Sequence, residues 1–222
     1  MHVGIDEAGK GPVLGSMFAA ALAVPDRSVL PAAVTDSKRL TPDRREKLAG
    51  ILRTTDGITV GVTEIPVSRI DDPDTDMNGL AVEAHARALE AAVADGASTG
   101  ETGRGPRVHC DACDTDADRF ARRVAAATPR ECSVDANHGA DDDDPLVGGA
   151  SIVAKVERDA HVSALAAEYG EIGSGYPSDP TTRAFLAEYV ADHGDLPPFA
   201  RRSWSTCGDL LAAAEQTALD GF

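Results

Sequence analysis

Short apolar runs alternate with amphipathic stretches along nearly the whole chain, and this alternation restricts the fold more than any other feature. Residues 2–6 (HVGID) and 17–24 (MFAAALAV) read as short buried strands flanking a Gly/Pro-rich turn at 9–16. Further strand-like runs lie at 57–66 (GITVGVTEIP), 107–111 (RVHCD) and 131–135 (ECSVD). Helical patterns fill the gaps. Thr41-Pro42 offers an N-cap and an N1 proline ahead of Leu48, Ile51 and Leu52. Leu80, Leu89 and Val93 repeat at helical spacing within 78–95, as do Phe120 and Val124 within 116–127. A long pattern runs from Pro145 to about Tyr169, a second starts at Asp179-Pro180 and reaches Tyr189, and 205–219 is helical by composition. Strands alternating with helices predict an α/β domain with a helical C-terminal portion. With only 4% aromatic residues, its core must be built from Ala, Val, Leu and Ile. At 222 residues the chain can bury about 70% of its unfolded surface. No internal repeat is present, and 96–106 (GASTGETGRGP) reads as a surface loop.

The formal charge is −16, and only four of the 21 basic residues are lysines (Lys10, Lys38, Lys47, Lys155). An acidic surface ordinarily argues against a nucleic-acid partner, since phosphate binding draws on Lys and Arg. An Asp-rich, Lys-poor surface also suits concentrated salt, where the Debye length shrinks to about 3 Å at 1 M. The charge is therefore read as halophilic adaptation to solvent, with an ordinary acidic protein as the alternative. No run of about 18 apolar residues exists to span a membrane, and the early Asp6, Glu7 and Lys10 argue against a signal peptide. Four cysteines in a chain of this length make no disulfide framework, so the cytoplasm is the simplest compartment.

Asp6 and Glu7 close the first strand and precede Ala8-Gly9-Lys10-Gly11-Pro12. Neighbouring side chains on a strand point to opposite faces, so the two carboxylates can converge on one ion only where the strand ends or bends. The following glycines permit that bend and let backbone N–H groups approach a ligand. Taken alone, the pair also reads as a solvated turn. Asp111, however, ends the run Val108-His109-Cys110, at the end of a strand where open α/β sheets place their sites. Asp141 opens an acidic patch just before the helix at Pro145. Hard oxygen donors from separate segments suit Mg²⁺ or Mn²⁺.

These residues sit in blocks that resemble the type 2 ribonuclease H (RNase HII) family: GIDEAGKGPVLG (4–15), DSKRL (36–40), VHCDACD (108–114), HGADDDDPLVGGASIVAKVERD (138–159), GSGYPSDP (173–180) and RRSWST (201–206), in the family's order and across nearly the whole chain. The resemblance implies an RNase H-like fold, a mixed five-stranded central sheet flanked by helices. It implies a catalytic domain over 1–185 and a helical C-terminal region over 186–222. It also implies a catalytic and metal-holding set of Asp6, Glu7, Asp111 and Asp141. The family usually has one Asp where this chain has Asp141 to Asp144, and spacing from His138 and to Ala150-Ser151 favours Asp141. The implied reaction is hydrolysis of the RNA strand of RNA–DNA hybrids and incision 5′ of ribonucleotides embedded in duplex DNA. It leaves 5′-phosphate and 3′-hydroxyl ends and uses two Mg²⁺ or Mn²⁺ ions about 3.5–4 Å apart. Gly9, Lys10, Gly11 and Tyr176 are the implied readers of the ribose 2′-hydroxyl. Lys10 departs from the commoner Arg, a small matter if the backbone makes the contact. Lys38, Arg39, Lys155, Arg201 and Arg202 fall in matching blocks as candidate phosphate contacts.

Gln216, Leu219 and Phe222 have the Q-x-x-L-x-x-aromatic spacing of peptides that bind PCNA-type sliding clamps, without the usual second aromatic. The partners so implied are RNA–DNA hybrid, ribonucleotide-containing duplex and a clamp, with the chain acting as a monomer. The alternative to an enzyme is a non-catalytic hybrid-binding module tethered to the clamp. Two signals carry less. Cys110-x-x-Cys113 has no second pair and reads as free thiols, and Asp114-x-Asp116-x-Asp118 lacks the glycine of a calcium loop and reads as a solvated face.

Overall fold

The computed structural model describes residues 1–34, 40–94 and 105–220, the last four by backbone alone. Its strands are β1 (His2–Ala8), β2 (Met17–Val24), β3 (Thr59–Ile65), β4 (Arg107–Asp111) and β5 (Ser133–Asn137). Its helices are α1 (Pro42–Thr54), α2 (Val67–Ile70), α3 (Met77–Val93), α4 (Ala117–Ala127), α5 (Ala140–Asp143), α6 (Pro145–Tyr169), α7 (Pro180–His193) and α8 (Ser205–Asp220). The strands form one sheet in the order β3-β2-β1-β4-β5. β1 runs antiparallel to β2, from His2↔Val24 to Ala8↔Phe18, and parallel to β4, from His2↔Arg107 to Ile5↔Cys110. β4 and β5 are parallel. This is the mixed five-stranded, helix-flanked RNase H-like architecture.

Each strand and long helix anticipated from the sequence is present, with ends moved by a few residues. Three local features differ. β1 continues two residues past Asp6 because Glu7 and Ala8 keep pairing with Ala19 and Phe18. The single-turn helices α2 and α5 are too short to leave a periodic pattern. Thr41 takes the N-cap position of α1 but its hydroxyl makes no capping bond, leaving the N1 proline as the start signal.

The chain divides into two compact units. The first holds 1–8, 18–64 and 77–157, and contains the sheet. Every residue of β2 is buried, so this central strand reads as a continuous apolar run without alternation. Leu22, Leu48, Leu52, Leu146, Ile152 and Val153 form a core between the sheet, α1 and the first half of α6. The approach of α6 to β1 is set by Gly4. A Cβ there would lie 2.4 Å from the Leu146 carbonyl carbon and 2.5 Å from the Val147 nitrogen.

The second unit holds 9–17, 65–76 and 158–222. Its core gathers Val13, Leu14, Ile172, Leu186, Val190 and Phe199. Much of the sparse aromatic content is spent here, with Tyr169 against Phe199 at 4.6 Å and Phe185 stacked on Phe199 at 6.1 Å between ring centroids. No helix among the described residues is long and apolar enough to cross a membrane.

Gly4→Ala is expected to destabilise the protein by about 3 kcal/mol, because the atoms in the way are backbone and cannot rotate aside. At this chain length the melting temperature should fall by roughly 5–10 °C, which a thermal melt in concentrated KCl measures.

Candidate active site

Parallel pairing carries the first two acids to one end of the sheet. The last paired row of β1 and β4 is Ile5↔Cys110, so Asp6 and Asp111 occupy the next row. Asp6 is 5% exposed. Burial, then the charges of Glu7 and Asp111, push its carboxyl up to about 8, while the Ser151 hydroxyl and the Lys155 ammonium oppose the rise. Burial also raises Asp111. The Ala140 N–H, which donates to Asp111 Oδ1 at 2.9 Å, opposes that shift, and the charges of Asp141 and Glu7 add to it. Asp6 and Asp111 thus feel the charges of neighbouring acids from β1, β4 and α5.

β1 continues through Glu7 and Ala8, and the Glu7 charge is the largest of those that act on Asp6. The Glu7 backbone N–H donates to Asp6 Oδ1 at 2.7 Å, and Glu7 Oε2 meets His85 Nε2 of α3, also at 2.7 Å. Among the described residues no three His, Cys, Asp or Glu side chains close around a single point. The donor set still fits a hydrated hard cation, because Mg²⁺ keeps several waters and takes one or two carboxylates together with substrate phosphate.

The run Asp141 to Asp144 separates by environment. Asp141 is half-buried; its Oδ2 accepts from Ser151 Oγ at 3.4 Å and lies 3.6 Å from Lys155 Nζ, which itself donates to Ser151 Oγ at 2.7 Å. Asp142 and Asp143 are exposed. Asp144 is buried and structural. Arg27 grips it through two bonds of 2.7 and 2.8 Å, His109 Nδ1 lies 2.7 Å away, and its Oδ1 accepts from the Leu146 N–H at 2.9 Å at the start of α6. Burial pushes its carboxyl up, but those donors outweigh burial and hold it at about 2.

In the second unit, Gly9 opens the glycine turn at φ +91°, a conformation that L side chains rarely adopt. Arg201, a candidate phosphate contact by sequence, is fully buried. It donates instead to the carbonyls of Gly15 (2.9 Å), Lys10 (2.9 Å) and Gly9 (2.6 Å), fixing the turn from behind. Gly11 gives its carbonyl to Trp204 Nε1 at 3.3 Å, and Tyr176 lies beside it, with Cε1 3.6 Å from where a Gly11 Cβ would stand. Tyr176 is 41% exposed, and the Arg158 guanidinium sits 5.1 Å from its ring centroid. The loop that presents it is held by Asp179, the N-cap of α7, which accepts from the Ser174 N–H and hydroxyl at 2.6 Å each. Arg202 pairs with Asp195 on the surface. Lys38, Arg39 and Phe222 lie outside the described residues, and Gln216 and Leu219 fall in α8.

Of the weaker signals, the four cysteines are free and buried or half-buried. The solvated-face reading of Asp114 is corrected. Its carboxylate is buried under Arg119, whose hydrogen bond holds it at about 2, and Asp116 caps α4. Arg201, read from its block as a phosphate contact, instead braces the glycine turn, and one residue that meets Glu7 gave no sequence signal as a site residue. His85 falls on the inward side of α3 with Ala81 and Leu89, which only its helical spacing hinted at.

A mixed sheet in this strand order, flanked by helices, defines an RNase H-like α/β protein. The model of the family Ribonuclease HII matches residues 3–207, and the chain belongs to that family. It is 58% identical over 222 residues to a Ribonuclease HII of Haloarcula marismortui, covering all of both chains. It is similar to the ribonuclease H2 structure from Pyrococcus horikoshii (TM-score 0.84, 35% identity, 96% of this chain and 98% of that one). It is also similar to RNase HII in the PCNA:RNase HII complex from Archaeoglobus fulgidus (TM-score 0.78, 33% identity, 95% and 96%). The chain is thus an enzyme of the type 2 ribonuclease H class, an RNA–DNA hybrid endonuclease of archaeal, halophile type that depends on divalent metal.

Asp144 yields a pH test. A carboxyl held at about 2 in the fold and at its ordinary value of 3.8 when unfolded stabilises the protein above pH 4. That stability, about 2 kcal/mol, is lost as pH falls from about 4 to 2. Urea midpoints of wild type and Asp144→Asn should therefore differ at neutral pH and converge as pH drops through this window.

Proposed function

We propose that the chain cuts on the 5′ side of ribonucleotides, both in RNA–DNA hybrids and singly embedded in duplex DNA, leaving 5′-phosphate and 3′-hydroxyl ends. The observation that carries this reading is the crowding of acids around Asp6 and Asp111: burial with the charges of Glu7 and Asp111 raises Asp6 to about 8, and burial with the charges of Asp141 and Glu7 raises Asp111. Such a cluster is costly without a cation and preorganised for one. These four residues would hold two Mg²⁺ or Mn²⁺ ions, which supply Lewis acidity toward the attacking water and the leaving 3′-oxygen. Ser151 and Lys155 orient Asp141, and Lys155 offsets part of the acidic charge as the phosphodiester approaches. The backbone of Gly9-Lys10-Gly11, braced by Arg201, reads the 2′-hydroxyl, a group that both donates and accepts. Tyr176, held open by Arg158 and the Asp179-capped loop, packs on the neighbouring sugar. Lys38 and Arg202 contact flanking phosphates, and the helical region 186–222 steadies the duplex on a catalytic portion spanning 1–185, the chain working as a monomer in the cytoplasm.

A duplex with one embedded ribonucleotide, incubated near molar KCl, tests this. Incision 5′ to that ribonucleotide is expected with Mg²⁺ or Mn²⁺ and should stop on chelation. Asp111→Asn should lose more than the roughly 10–100-fold that removing an outer partner costs. No incision at any salt would sink the reading in favour of a binding module.

The tail Gln216-x-x-Leu219-x-x-Phe222 is proposed to dock on a PCNA-type clamp, with support from the relative that was crystallised with PCNA and from the helix that runs to Asp220. Deleting 216–222 should abolish clamp binding in a pull-down against purified clamp and leave free-duplex incision unchanged. Retained affinity would refute it.

A further inference from the structure

We propose that His85 is a positioning residue for Glu7, holding its carboxylate in the orientation that receives a divalent ion. This rests on reading Glu7 as a metal ligand. His85 lies on α3, which packs against β1 and α4, and its side chain is fully buried. Nε2 reaches Glu7 Oε2 at 2.7 Å. Nδ1 is buried and has no hydrogen-bond partner among the described residues. The edge of the ring stands on Phe120 of α4, with centroids 5.0 Å apart and planes at 85°.

Buried apolar residues flank the ring. Ala81, Ala84, Ala88 and Leu89 of the same helix are buried around the position, and Phe120 closes it. Packing alone would be better served by an aliphatic side chain of similar size, which would strand no polar atom. Only the imidazole can donate to Glu7. With a carboxylate as its partner, Nε2 is the nitrogen that donates. The helix and Phe120 fix the ring. The 2.7 Å bond in turn fixes one oxygen of the glutamate. Such a tether orients a ligand before the ion arrives.

The test is calorimetric titration of the full chain with Mn²⁺ alone, with no nucleic acid, in concentrated KCl. His85→Leu is expected to weaken Mn²⁺ binding about tenfold, while the melting temperature of the metal-free protein stays level or rises, since the orphaned Nδ1 is gone. His85→Gln, which restores an N–H donor, should bind within about threefold of wild type. In the incision assay the Mn²⁺ concentration for half-maximal rate should rise for His85→Leu, with KM for the duplex unchanged. Unaltered Mn²⁺ affinity in His85→Leu would overturn the proposal, and so would a His85→Gln variant as weak as His85→Leu. If His85→Leu does not fold, nitrogen-15 NMR of the wild-type ring decides: a proton on Nε2 supports the tether and one on Nδ1 refutes it. Glu7→Gln separates the two readings. If it leaves Mn²⁺ binding intact, the metal-ligand assignment of Glu7 fails; if it weakens binding and His85→Leu does not, only the tether fails.

Discussion

The contact of α6 with β1 governs the geometry of the acidic site. With only a hydrogen on Gly4, the backbone at Leu146 and Val147 comes down onto the strand. That closeness fixes where the rest of the helix lies. Ser151 and Lys155, one and two turns further on, fall close enough to Asp6 and Asp141 to shift or bond their carboxyls. The start of the same helix is pinned by Asp144, and the turn before it, α5, lends the Ala140 N–H to Asp111. A core contact therefore sets the site's geometry.

Two kinds of carboxylate coexist in this acidic chain. Asp114, Asp144 and Asp179 are held at about 2 by donors aimed at them, and each fastens a turn or a helix start. Asp6 and Asp111 move the other way, because burial and like charges meet there with too few donors to compensate. The first kind gives stability that concentrated salt screens weakly, since these bonds are short and direct. The second stores repulsion that a divalent cation would relieve. Acidity that looks uniform in the composition is thus divided between structure and chemistry by the number of N–H and O–H groups facing each carboxylate.

Much of this was legible beforehand. Asp6, Glu7 and Asp111 stand at or near the ends of apolar runs, but the resemblance to the RNase HII blocks was what grouped them with Asp141 as a candidate set. The fold class followed from alternating runs, and α7 from an Asp-Pro start that the structure uses as N-cap and N1. What could not be read is which way each side chain turns. Arg201 and Arg202 are neighbours with the same chemistry, yet one is buried against three carbonyls and the other lies on the surface with Asp195. Asp114 looked solvated because nothing in its local pattern announces the arginine that covers it.

The sequence by itself determined the strands and long helices, the positions of the acids at strand ends, and the glycine turn that follows the first of them. Periodicity and turn chemistry are local, so they survive translation into a one-dimensional string. Only the tertiary structure decided that β1 keeps pairing through Glu7 and Ala8, and that α3 brings His85 to Glu7. Those outcomes depend on contacts between segments some 80 residues apart, whose energies no local pattern encodes.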